Sequence, residues 1–210
     1  MIRKLLLLVG LSLLFSASSA SAATIVLLSS TGTLSTPNSV FEQSFVYDPL
    51  TMGNTVVVQS YGYGGSSNAP GGTNATGTTI SAGGFDPIVG LFSGGVGGNG
   101  ARIGFNDDGS CGPGMGATDA GICFDSRLVF NSLAAGTYTL ALTVFPNFPP
   151  ATEGGAYGSG ASNFNGRTNA FAVDVVAPNA AAAVPEPASL TLLGLGLASM
   201  GARRWRQRKS

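Results

Sequence analysis

Five oxygen-bearing side chains, Asn106, Asp107, Asp108, Asp119 and Asp125, fall on one stretch that Gly109, Gly112, Gly114 and Gly116 leave free to turn. Calcium takes about six to eight hard oxygen ligands, backbone carbonyls included, and a segment of this kind supplies them. The spacing is not that of an EF-hand. A second reading therefore stands beside the first: an Asx-type turn at 106–109 whose short side chains bond their own backbone. Cys111 and Cys123 flank part of the same stretch and are the only 2 cysteines. In an exported chain such a pair is most simply a disulfide, which over so short a loop stabilises by about 3 kcal/mol. Two free thiols are the alternative, and the pair lacks the C-x-x-C spacing of a redox motif.

Composition removes much of the remaining chemistry. The chain contains 0 His, and its lysines, Lys4 and Lys209, lie at the extreme ends. Ser-His-Asp and Cys-His nucleophiles, His-ligated zinc and lysine Schiff bases all lack a necessary residue. Glu42 and Glu153 could serve as acid and base in glycoside hydrolysis, but nothing in the sequence brings them together, and solvated surface charges are the plainer reading. Tyr61, Tyr63 and Tyr157 sit in Gly-rich stretches, where each is either a platform for a sugar ring or a loop anchor. The single tryptophan, Trp205, is at the far C-terminal end. The expectation is a protein with no catalytic residues, a carbohydrate-binding module being the next reading and a carboxylate hydrolase the third.

The elements that must position these residues read as strands. Apolar and small or polar residues alternate in short runs between Gly, Asn, Asp and Pro, with no convincing helical period. The spacing predicts strands at 40–47, 55–61, 87–92, 102–105, 126–130, 137–145 and 170–176. In 137–145, Tyr138, Leu140, Leu142 and Val144 share one face, and Thr137, Thr139, Ala141 and Thr143 share the other, so one face is expected to pack and the other to be largely solvated. The fold expected is all-β, an antiparallel β-sandwich over residues 23–176.

Within it, Phe85-Asp86-Pro87-Ile88-Val89-Gly90-Leu91-Phe92, then Asn106-Asp107-Asp108-Gly109, Asp125-Ser126-Arg127-Leu128 and Leu133-Ala134-Ala135-Gly136-Thr137-Tyr138 resemble the bacterial pre-peptidase C-terminal (PPC-like) jelly-roll domains. That resemblance implies a jelly-roll accessory or binding fold, often exported and in some members braced by calcium.

Both ends read as addresses. Arg3-Lys4 precedes an apolar run at 5–15, and small residues lead to Ala20-Ser21-Ala22, so residues 1–22 are predicted to be a signal peptide cut between Ala22 and Ala23. An uncleaved anchor is the alternative, for which the run is short. At the other end come an Ala-rich linker at 177–183, then Val184-Pro185-Glu186-Pro187, an apolar stretch at 190–202 and a basic cluster at 203–209. With both basic ends held on the cytoplasmic side, the middle lies outside. Three arginines against nine carboxylates leave that middle at −6, which disfavours nucleic acid and anionic headgroups as partners.

The ordered tail, residues 184–210, resembles the PEP-CTERM sorting signal. The resemblance implies recognition by an exosortase, a membrane-embedded cysteine transpeptidase, after signal peptidase has acted. It further implies a Gram-negative host that makes exopolysaccharide and biofilm, with transient anchoring in the inner membrane through a short transmembrane-like helix. A plain single-pass anchor is the alternative, and exopolysaccharide is the partner expected after processing.

Overall fold

Runs of β-branched and aromatic residues such as Val56-Val57-Val58 and Ile88-Val89 fit a pleated surface, and the Gly- and Asn-rich stretches between them supply turns. A computed structural model describes residues 23–63, 72–109, 123–158, 160–161 and 163–180. Within them lie β1 (Ala23–Thr33), β2 (Phe41–Tyr47), the single helical turn α1 (Pro49–Met52), β3 (Val56–Tyr61), β4 (Gly72–Thr73) and β5 (Thr79–Ile80). There follow β6 (Pro87–Ser93), β7 (Arg102–Asn106), β8 (Arg127–Phe130), β9 (Gly136–Val144) and β10 (Ala170–Ala180). All seven strands expected from the sequence form, and β1, β4, β5 and α1 are additions. The fold is all-β and its strand pairs are antiparallel.

One sheet has the order β1-β10-β3-β8 and another β2-β9-β6-β7, with β4 and β5 forming a small ribbon. Alternate side chains of both four-stranded sheets meet in one apolar cluster. Leu28, Val56, Val58, Val173 and Val175 come from the first sheet, and Phe45, Tyr47, Val89, Leu91, Leu140 and Leu142 from the second. α1 is set by its ends: Asp48 caps it by accepting from Leu50 N at 2.9 Å, Pro49 fixes the first φ, and Gly53 leaves it at φ 82°.

The alternation in β9 holds, but the expected solvated face does not exist. Thr139, Ala141 and Thr143 are all buried. The segment 145–158 and the 94–101 turn lie over this face: Thr143 Oγ1 donates to Asn147 O at 2.7 Å, and Thr139 Oγ1 donates to Gly94 O at 2.9 Å. Gly90 on neighbouring β6 makes the approach possible, because a Cβ there would lie 2.9 Å from Pro149 Cγ. Threonine thus suits the position by offering a hydroxyl to carbonyls that cross above the sheet. At the entry to β9, Tyr138 Oη donates to Ala134 O at 2.6 Å, a bond of the tyrosine-corner type that closes the Leu133-to-Tyr138 turn.

β10 continues through Ala180, so Ala177 to Ala180, assigned to a linker on composition, are strand residues. The predicted signal peptide at 1–22, the sorting motif Val184 to Pro187 and the apolar stretch 190–202 lie outside the described residues. Among the described residues no helix is long and apolar enough to cross a membrane. Ala23 opens β1 and stands opposite Ala180 in the register of β1 and β10.

Candidate functional site

Antiparallel pairing of β6 with β7 sets Val89 opposite Asn106, which brings the start of one strand to the end of the other. Asp86 immediately precedes β6, and Asp107 and Asp108 immediately follow β7. One carboxylate oxygen from each of Asp86, Asp107 and Asp108 falls within 4.8 Å of the others. The Oδ1 atoms of Asp86 and Asp107 are buried without a hydrogen-bond partner. Burial first, and then the charges of Asp107, Asp108 and Asp125, push the Asp86 carboxyl up to about 8, with Arg167 opposing. Burial and Asp108 push Asp107 up to about 6. Like charges crowded out of water favour protons or a cation among them, and hard carboxylate oxygens are the donor set that calcium or magnesium takes.

Ser126 ties the surrounding backbone together. It is fully buried, and its hydroxyl lies 2.6 Å from Pro87 O, 2.9 Å from Asn106 O and 2.6 Å from Asp107 O. A hydroxyl has a single proton, so the three carbonyls share one donor. Ser126 N donates to Ser60 Oγ at 2.8 Å, and Ser60 Oγ donates to Asp125 Oδ1 at 3.1 Å.

The five oxygen-bearing residues singled out in the sequence therefore separate. Asp107 and Asp108 converge, but on Asp86, whose place in the cluster the linear spacing did not reveal. Asn106 Oδ1 accepts from Arg127 N at 3.0 Å, a bond across the chain to the start of β8. Asp125 is buried and its Oδ1 accepts from Ser60 Oγ and, at 3.4 Å, from Tyr63 N. Asp119 and Cys111 lie outside the described residues. Cys123 is buried, no described cysteine is a free thiol, and Gly109 N donates to Cys123 O at 2.9 Å.

The three tyrosines have contacts within the domain. The Arg167 guanidinium lies 3.5 Å over the Tyr63 ring, whose centroid is 4.5 Å from that of Phe124. Arg167 also donates to Gly84 O and Tyr63 O. Tyr61, on β3, is shifted upward by burial and then by Asp174. Tyr157 Oη donates to Glu42 Oε1 at 2.9 Å.

Glu153 is not the solvated charge expected of it. It is 2 % exposed, and its two oxygens accept from Gly97 N and, at 2.7 Å, from Asn99 N, fastening the 94–101 turn. Isolated glutamate in a Gly-rich stretch carries no sequence signal of that role. A cavity of about 410 Å³ opens elsewhere, where Thr31, Thr33, Thr79 and Ser81 meet Phe171, and no carboxylate lines it.

Beyond the described domain, residues 183–208 match the PEP-CTERM protein-sorting motif, which supports a PEP-CTERM protein. The match includes Val184, Pro185, Glu186 and Pro187, and it implies an exported, envelope-associated protein processed by an exosortase. No curated protein matches the chain.

Proposed function

We propose that this chain is exported behind a signal peptide cut between Ala22 and Ala23 and handed by its Pro185-Glu186-Pro187 tail to an exosortase. Its β domain then serves a structural or adhesive role in the cell envelope or exopolysaccharide matrix of a Gram-negative bacterium, without catalysis. The sorting-motif match at 183–208 is the observation that carries this reading. The two sheets with a shared core are read as a jelly-roll-like β-sandwich of the PPC-like kind.

A non-catalytic role is favoured by the residues themselves. Histidine and internal lysine are missing from the sequence, Glu153 is occupied by turn amides, and Glu42 is bonded to Tyr157. Asp86, Asp107 and Asp108 would hold a structural calcium ion, whose chemistry there is charge neutralisation. A Cys111–Cys123 bridge would close the loop that leaves at Gly109 and returns at Cys123. The buried, non-free Cys123 and the Gly109–Cys123 backbone bond support it.

Fractionating cells that produce the intact chain or one lacking 185–187 tests the proposal. The intact protein should reach the outer envelope or medium at reduced size, and the deleted one should stay full-size in the inner membrane. Identical size and location for both would defeat it.

A further inference from the structure

The ribbon of β4 and β5 contributes no side chain to the apolar cluster shared by the two large sheets. It is nevertheless fixed to the outer face of the first sheet by buried polar groups. On β10, Phe171, Val173 and Val175 face the core, so Ala172 and Asp174 lie on the opposite face. Asp174 is 1 % exposed, and its Oδ2 accepts from Ala75 N. Asn74, also buried, donates from Nδ2 to Ser29 Oγ on β1 at 3.3 Å and accepts at Oδ1 from Thr78 N at 2.7 Å. Taking a carboxylate out of water to hold a ribbon that adds nothing to the core points to a role for the surface the ribbon makes.

That surface is one wall of the cavity of about 410 Å³, a volume within the range of about 300–1,000 Å³ typical of small-molecule sites. Thr31 and Thr33 of β1 lie on one side and Thr78, Thr79 and Ser81 on the other, all exposed. The floor between them is low because β10 places alanines there, Ala172 opposite Thr31 and Ala170 opposite Thr33. Among the described residues, none of these hydroxyls is engaged in a hydrogen bond within the domain, whereas those of Thr139 and Thr143 are. A second cavity of about 360 Å³ shares Thr31, Gly32, Thr33 and Phe171 with the first and adds Ser35 and Ser39. Gly32 keeps the rib between the two thin: its register partner is Phe171, and a Cβ there would lie 3.0 Å from Phe171 Cζ. No Asp, Glu, Arg or Lys lines either cavity.

We propose that this two-part groove binds an uncharged glycan chain, with the hydroxyls of Thr31, Thr33, Thr78, Thr79 and Ser81 bonding those of the sugar. The proposal builds on the adhesive role proposed for the domain and gives that role a ligand class. The lining selects the class. A charged ligand would find no opposite charge to replace its water, and a wholly apolar one would strip water from the hydroxyls and return no bond. A sugar meets both conditions, since its hydroxyls donate and accept while its C–H faces can rest on Ala170 and Ile80. Continuity of the two cavities across the end of β1 suits a chain of sugar units better than a single ring. Pinned by Asp174 and Asn74, the ribbon wall stands in place before the ligand arrives, which lowers the ordering cost of binding.

Affinity electrophoresis of the full chain tests this, in a non-ionic polyoxyethylene detergent that carries no sugar headgroup. Parallel native gels contain dextran, galactomannan, mixed-linkage β-glucan, the acidic polysaccharide alginate, or no polysaccharide. Severalfold slower migration in at least one neutral gel is expected, with none in alginate. The triple variant Thr31→Ala, Thr79→Ala, Ser81→Ala should migrate as in the plain gel, with an unchanged melting curve because all three positions are exposed. Thr31→Ser with Thr79→Ser keeps both hydroxyls and should bind like the native chain, as should Phe105→Ala, at an exposed ring outside the groove. Equal retardation in alginate, or retardation that survives the triple variant, overturns the site while leaving an adhesive role. No retardation in any gel overturns the site and the adhesive role together, and leaves the sorting reading, which fractionation tests, untouched.

Discussion

Asp86 and Asp107 meet where β6 begins and β7 ends, and each carries a buried Oδ1 with no hydrogen-bond partner. Their carboxyls sit at about 8 and about 6 in the folded protein, above the ordinary aspartate value of 3.8 that the unfolded chain retains. Between those values the folded state holds more protons than the unfolded one, so stability falls as pH rises. Melting temperature without divalent cation should therefore climb as pH is lowered from about 8 towards about 5. Millimolar calcium should flatten the slope by replacing the protons, and Asp86→Asn should remove the slope between about 8 and about 6 and weaken the calcium effect, leaving the Asp107 contribution below about 6. A pH-independent melting temperature, unchanged by calcium, would remove the site.

Reduction should weaken the domain. If Cys111 and Cys123 are bridged, adding reductant should cost about 3 kcal/mol in chemical denaturation. Alkylation of the unreduced secreted protein should leave its mass unchanged. Mass gain at both cysteines without reductant contradicts the bridge.

Glu153 and Glu42 should behave oppositely on substitution. Glu153→Ala removes the buried carboxylate to which Gly97 N and Asn99 N both donate, a loss of about 3 kcal/mol for two bonds to a charged group. Glu42→Ala, at a partly exposed residue bonded to Tyr157, should cost under about 1 kcal/mol. Equal small losses from urea titrations of both variants would mean that Glu153 does not hold the turn.

Tyr138→Phe removes the bond to Ala134 O while keeping the ring beside Phe45, and should destabilise by about 1 kcal/mol. An unchanged denaturation midpoint would show that the corner bond contributes nothing.

Seven strands were legible because their apolar residues alternate between turn signals, and the tail was legible because a sorting motif is read linearly. β1 escaped notice: its Thr24-Ile25-Val26-Leu27-Leu28 run follows the signal segment directly, and a bulge near Leu27 breaks its alternation. β4 and β5 are two residues each, too short to have a period. The buried threonine face of β9 depends on a crossing segment that no local pattern announces. The acidic cluster was half legible for the same reason. Asp107 and Asp108 advertise themselves as neighbours, whereas Asp86 joins them only through β6–β7 pairing.

The claim that this is an exosortase-processed exported protein is tested most directly by the intact mass of the protein recovered from hosts with and without an exosortase. The account predicts that both products begin at Ala23, and that only the exosortase-positive product ends near Pro187, having lost the apolar stretch and basic cluster. A full-length C-terminus through Ser210 in both hosts would contradict it.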